Sequence, residues 1–252
     1  MRVLAGLLAL TAVIPAQTTP AARTDENSRM AHQQLLEKTT QGRIDVYFEG
    51  DSITRRWGAM DYPQLLENWR KNFNGWNAAD FGWGADRIEN ILWRLENGEL
   101  DGVNPKVIVL LAGTNNLGHN SVAEMTAGIE EIVRVMQKKA PDAVVVLIGI
   151  FPRNDHQEFL SQIRDINQNL SRFANGRSVR FLDINDRLAD SQGRLYDGMM
   201  NPRDKLHPEL KGYQVWADAL KPLLTELLGA PAAGDLAPPP TGDPSAAGKR
   251  HQ

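Results

Sequence analysis

Two stretches of the chain, KVIVLLAG (Lys106 to Gly113) and AVVVLIGI (Ala143 to Ile150), are almost unbroken β-branched and Leu residues. A strand with one wet face alternates apolar and polar positions, whereas a strand covered by helices on both faces need not. These two stretches therefore predict a parallel sheet buried between helical layers. Three further runs, Ile44 to Gly50, Trp76 to Phe81 and Ser178 to Ile184, bring the candidate strands to five. Segments of helical period lie around them: Asn27 to Thr39, Tyr62 to Asn72, Asp86 to Asn97, Val122 to Lys139, His156 to Asn175 and Pro208 to Leu228. Ser121 is placed to cap the fourth of these, Pro208 suits a first helical position and Gly98 a helix stop. The expectation is one α/β domain over residues 27–229, a three-layer α/β/α sandwich around a five-stranded parallel sheet. Ligands of such sheets collect at the carboxyl ends of the strands.

The two ends read differently. Residues 3 to 14, VLAGLLALTAVI, form an uncharged run behind Arg2, with Pro15-Ala16 and Ala21-Ala22 as small-residue cleavage candidates. The run is shorter than the roughly 20 residues of a membrane span. Residues 1–22 thus predict a secretory signal peptide and short linker on a secreted or periplasmic bacterial protein, with no membrane span in the mature chain. Residues 230–252 hold five of the 14 prolines and almost no large apolar residue. Such a segment buries too little to offset its ordering entropy, and a disordered tail is expected.

Charge and cysteine content narrow the chemistry. The 28 Lys and Arg against 31 Asp and Glu, a formal net charge of −3, are scattered and form no basic stripe, so no nucleic acid partner is expected. With no cysteine in the chain, thiol nucleophiles, disulfides and thiolate metal sites are excluded, and catalysis must use oxygen and nitrogen groups.

Four blocks follow strands. Gly50-Asp51-Ser52-Ile53-Thr54 leaves Ser52 at the start of the next segment, as a nucleophile or as a helix cap. Gly82-Trp83-Gly84-Ala85-Asp86-Arg87 is a loop able to present a backbone amide to an oxyanion; it lacks the third glycine of a dinucleotide fingerprint. Gly113-Thr114-Asn115-Asn116 offers a side-chain amide donor, and spacing does not decide which Asn points inward. Asp204-Lys205-Leu206-His207-Pro208 pairs a histidine base with an orienting carboxylate three residues earlier.

Together, in this order, the blocks resemble those of the GDSL or SGNH hydrolases, over essentially Ile44 to Leu228. Within that family, Phe81-Gly82, the stretch LWRLENGEL (Leu92 to Leu100) and Gly113-Thr114-Asn115-Asn116 are similar to the catalytic α subunits of platelet-activating factor acetylhydrolase. The resemblance implies the flavodoxin-like SGNH fold, with Ser52, Asp204 and His207 catalytic and an oxyanion hole from Ser52, Ala85 and Asn115. The family's donor glycine falls on Ala85 here; alanine keeps the N–H if its backbone geometry is allowed, with Gly84 as the fallback donor.

The implied reaction is hydrolysis of short-chain esters, acetyl above all, through an acyl-enzyme, with no metal and no organic cofactor. Carbohydrate acetyl groups are one expected target, and a small-molecule or polysaccharide ester the expected partner. Asp51, Ile53, Trp83, Gly84 and Leu206 are the candidate substrate contacts, Trp83 as a sugar-stacking face. A lysophospholipase or lipase, and a non-catalytic carbohydrate- or lipid-binding module on the same scaffold, are the competing readings. The family's α subunits form dimers, so a homodimer is a further implied possibility.

Overall fold

The structure, a computed structural model, describes residues 18–248. The apolar run at residues 3–14 lies outside the described residues. All five predicted strands form: β1 (Val46–Gly50), β2 (Ala78–Asp80), β3 (Val107–Leu111), β4 (Val144–Ile148) and β5 (Val179–Leu182). They make one parallel sheet in the order β2-β1-β3-β4-β5, so the order reverses at β1 and β3, the strands that lead into the Ser52 and Asn115 blocks.

The unbroken apolar character of β3 and β4 has the expected cause. Ile108, Leu110, Val145 and Leu147 face one core with Leu35, Ile91, Ile129 and Ile166; Val107, Val109, Val146 and Ile148 face the other with Trp57, Phe73, Tyr213 and Trp216. The first core is closed by α1 (Glu26–Thr39), and the second by α2 (Ser52–Gly58) and α3 (Pro63–Phe73). Helices α4 (Ile88–Arg94), α5 (Val122–Lys139) and α6 (Leu160–Phe173) complete the first layer; after the short α7 (Asn185–Leu188), α8 (Leu210–Leu228) completes the second. Among the described residues no helix is long and apolar enough to cross a membrane.

Four expectations need correction. Pro208 is not a first helical position: it bridges to Met200, Glu209 is the cap, and α8 starts at Leu210. The helix predicted over Asp86 to Asn97 is shorter, because Asp86 is drawn inward by Arg94 and the chain leaves helical geometry at Asn97 and Gly98, where φ reaches 111°. His156 to Asn175 begins with a single 3₁₀ turn, and α6 proper starts at Leu160. The proline-rich segment after Gly229 is laid along the domain, through Leu236, Asp235 and Asp243, and ends in α9 (Pro244–Gly248). Its attachment is polar: the Arg43 N–H donates to the Leu236 carbonyl at 2.8 Å, the Leu236 N–H to Asn77 Oδ1 at 2.7 Å and the Met60 N–H to the Thr241 carbonyl at 3.0 Å. An expectation based on apolar burial alone misses such contacts.

Candidate active site

At the end of β1 the chain turns directly into α2. Asp51 is the cap of that helix, its Oδ1 accepting the Ile53 N–H at 2.8 Å. Ser52 is thereby the first helical residue and not the cap, so its hydroxyl is free. Ser52 Oγ lies 2.8 Å from His207 Nε2, and His207 Nδ1 lies 2.9 Å from Asp204 Oδ2. An ionised carboxylate only accepts, so Nδ1 carries the hydrogen and Nε2 is the acceptor of the serine proton.

The loop before α8 builds the acid–base pair locally. Asp204 Oδ1 accepts the N–H groups of Leu206 and His207, each at 3.0 Å, which folds the four residues Asp204 to His207 into a tight turn. Partial burial raises the Asp204 carboxyl, but these two amides and the imidazole outweigh it and hold the group below the usual carboxylate range. His207 moves the same way: burial and the positive charge of Arg56 push the imidazole below its ordinary value, against the upward pull of Asp204. Arg56, on α2, also reaches Asp204 Oδ2 at 3.4 Å.

The loop after β2 packs on the start of α2. The Trp83 N–H donates to the Gly50 carbonyl at 3.0 Å, and Gly82 has no room for a side chain, since a Cβ would stand 2.6 Å from the Arg55 nitrogen and 2.9 Å from the Asp51 carbonyl. Ala85 has φ 61°, the left-handed geometry that glycine adopts freely, so it occupies the glycine-like place in the loop. Gly84 shows no positive φ. Asn115 donates Nδ2 to the Asp86 carbonyl at 2.8 Å, leaving its second amide hydrogen available. Asn116 is the structural member of the pair, its Oδ1 capping Ile88 at 2.9 Å and its Nδ2 held by Glu89 and Asn120. A cleft of about 480 Å³ opens beside Ala85 and Asn115, walled by Arg87, His119, Arg153 and Phe159.

The expected substrate contacts differ in their exposure and neighbours. Ile53 is 1% exposed and sits in the core with Trp57. Asp51 is a buried cap, and burial pushes its carboxyl up to about 7. Trp83 is 8% exposed, with its indole N–H on Ser28 Oγ at 2.8 Å and Arg55 over its ring at 4.8 Å. It faces α1 and a separate cleft of about 500 Å³ shared with His32 and Trp93. Leu206 is half-buried beside His207, and Gly84 stands in the loop with nothing near its α-carbon face. Sequence reasoning missed Arg153, which donates to the Thr114 carbonyl at 3.1 Å; it stands just past the end of β4, where the strand-end rule points.

Residues 48–215 match the model of the GDSL-like lipase/acylhydrolase family. The chain belongs to that family. It is an ester hydrolase of the SGNH fold. Over 199 residues it is 34% identical to the platelet-activating factor acetylhydrolase IB subunit alpha1 of Homo sapiens, covering 78% of this chain and 82% of the relative. The alpha2 subunit of Rattus norvegicus is 33% identical over 209 residues, 81% of this chain and 86% of that one. Two solved structures share the fold: a GDSL-like lipase from Bacteroides thetaiotaomicron, with TM-score 0.63 at 16% identity over 81% of this chain and 98% of that one, and a lipolytic protein of the G-D-S-L family from Veillonella parvula, with TM-score 0.60 at 19% identity over 73% and 100%.

Proposed function

We propose that this GDSL hydrolase is a serine esterase of short acyl esters, acetyl esters first. The observation that carries the reading is the unbroken chain from Ser52 Oγ through the His207 ring to Asp204, with contacts of 2.8 and 2.9 Å. His207 Nε2 takes the serine proton as Oγ attacks the ester carbonyl, and Asp204 stabilises the imidazolium that forms. The developing oxyanion is held by the N–H groups of Ser52 and Ala85 and by the free amide hydrogen of Asn115. His207 then protonates the departing alcohol. Water repeats the sequence on the acyl-enzyme, and the carboxylic acid leaves.

The acetyl preference draws support from relatives whose own name is acetylhydrolase. For a polysaccharide target the expected stacking residue, Trp83, faces α1, so that part of the reading rests on the apolar run at residues 3–14 and the export it implies. Purified protein and its Ser52→Ala variant, assayed on p-nitrophenyl esters from acetyl to dodecanoyl and on acetylated xylan, test all of this. The expected result is acetyl preference and activity lost in the variant. Equal activity in the two proteins overturns the serine mechanism; a dodecanoyl preference favours a lipase, and acetate released from xylan makes the enzyme a carbohydrate deacetylase.

A further inference from the structure

Arg23 lies outside residues 48–215, the span of the family match, on the segment that leads into α1. Its guanidinium is aimed with care. Nε and Nη2 both rest on Asp25 Oδ2, at 3.1 and 3.0 Å, while Asp25 Oδ1 caps α1 through the Ser28 N–H at 2.9 Å. The remaining nitrogen, Nη1, reaches the oxyanion loop and touches it on both sides of Ala85: the Gly84 carbonyl at 3.0 Å and Asp86 Oδ1 at 3.3 Å. Arg94 holds the other oxygen of the same carboxylate, Nε to Oδ2 at 2.7 Å.

The Gly84 carbonyl and the Ala85 N–H belong to one peptide unit. In a trans peptide the two point in opposite directions, so fixing the carbonyl fixes the amide. Arg23 lines the cleft of Trp83 and His32, whereas Ala85 lines the cleft of Asn115. A carbonyl drawn toward Arg23 therefore turns the Ala85 N–H away from that side. The restraint matters here because residue 85 is alanine at φ 61°, a conformation that its Cβ opposes, and rotation of the 84–85 peptide is the simplest way to relax it.

We propose that Arg23 is a positioning residue for the oxyanion hole: it staples the loop across Ala85 and keeps that N–H directed at the reacting carbonyl. The proposal rests on the reading of Ser52 as nucleophile and Ala85 as donor. Losing an oxyanion donor outright costs on the order of 10² to 10³ in turnover. A donor left in place but free to rotate costs less, and Arg23→Ala should lower kcat on p-nitrophenyl acetate by roughly 10-fold with KM little changed. Arg23→Lys, whose single ammonium can still meet the Gly84 carbonyl, should recover part of the loss.

Two measurements decide the matter. In an Ala85→Gly background the left-handed geometry is unstrained, so Arg23→Ala should cost clearly less than in the native background; an equal cost in both, or an unchanged kcat in the native one, overturns the proposal. Hydrogen exchange of the full chain reads the loop without any substrate: Arg23→Ala should speed exchange across residues 84–87 and leave α5 as it was. Unchanged exchange there overturns the staple. If the native protein hydrolyses no ester, the functional reading falls while the exchange measurement still decides whether Arg23 holds the loop.

Discussion

The side-chain amide of Asn115 donates to the main-chain carbonyl of Asp86 at 2.8 Å. The loop after β3 is thus tied to the loop after β2, and the two outer donors of the proposed oxyanion hole are held as one unit. Asn115→Ala removes both a donor and this tie. Turnover should fall on the order of 10² to 10³, with KM less affected, in steady-state kinetics on p-nitrophenyl acetate. Near-native turnover would remove Asn115 from the hole.

His207 acts as a base only when neutral, and burial with Arg56 holds its imidazole below the ordinary value. Activity should therefore persist as pH falls through about 6.5 and drop only below it. Replacing Arg56 by Gln takes away a positive neighbour and frees Asp204 from it, and both changes favour the imidazolium. The acid limb of kcat/KM should move to higher pH in that variant. A limb that stays in place, or moves down, contradicts the assignment of the base.

Asp51 supplies a stability test independent of catalysis. Its carboxyl is fully buried, and burial raises it to about 7. The unfolded chain releases that proton near pH 3.9, so between about 4 and 7 the native state binds more protons and its stability falls as pH rises, by at most about 1.4 kcal/mol per pH unit. Asp51→Asn carries no such proton. Urea denaturation should show the variant gaining on the native protein as pH rises through that window. A constant difference between the two would mean that Asp51 is ionised when folded.

Arg94 is the centre of a buried ionic cluster, bonded to Glu49, Glu99 and Asp86 and to the Phe81 carbonyl at 2.9 Å. Removing the cation from a buried pair leaves uncompensated charge, which typically costs about 3–5 kcal/mol. Arg94→Met should be destabilised by that order in urea, and more at pH 8 than at pH 5, where the abandoned carboxyls can take up protons. A loss below about 1 kcal/mol would mean that the cluster relaxes without its cation.

How much of this was legible in the sequence depends on the range of the deciding contact. Ser52 and Asn115 stand just past the ends of β1 and β3, and the Asp204–His207 turn before α8 closes within four residues, so local pattern and family resemblance both reach them. The setting of Trp83 was not legible, because a hydroxyl 55 residues away, on Ser28, fixes its ring. Ile53 and Asp51 follow and precede the serine, yet helix geometry turns the first into the core and makes the second a cap. Arg23 gave no signal, and Arg94 stood inside the stretch Leu92 to Leu100 without a role to be read there, since an arginine's partners are set by packing and not by spacing.

The proline-rich segment also has a consequence for the limits of the sheet. Ala237 and the prolines 238–240 share a cleft with Ala78, Ala79 and Asp80, the whole of the edge strand β2, and so stand beside the side of the sheet at which another chain would pair. Proline has no N–H to offer, so this cover cannot itself act as a template for a further strand. A chain shortened after Gly229 would keep the proposed catalytic residues and lose its guard against edge-to-edge aggregation.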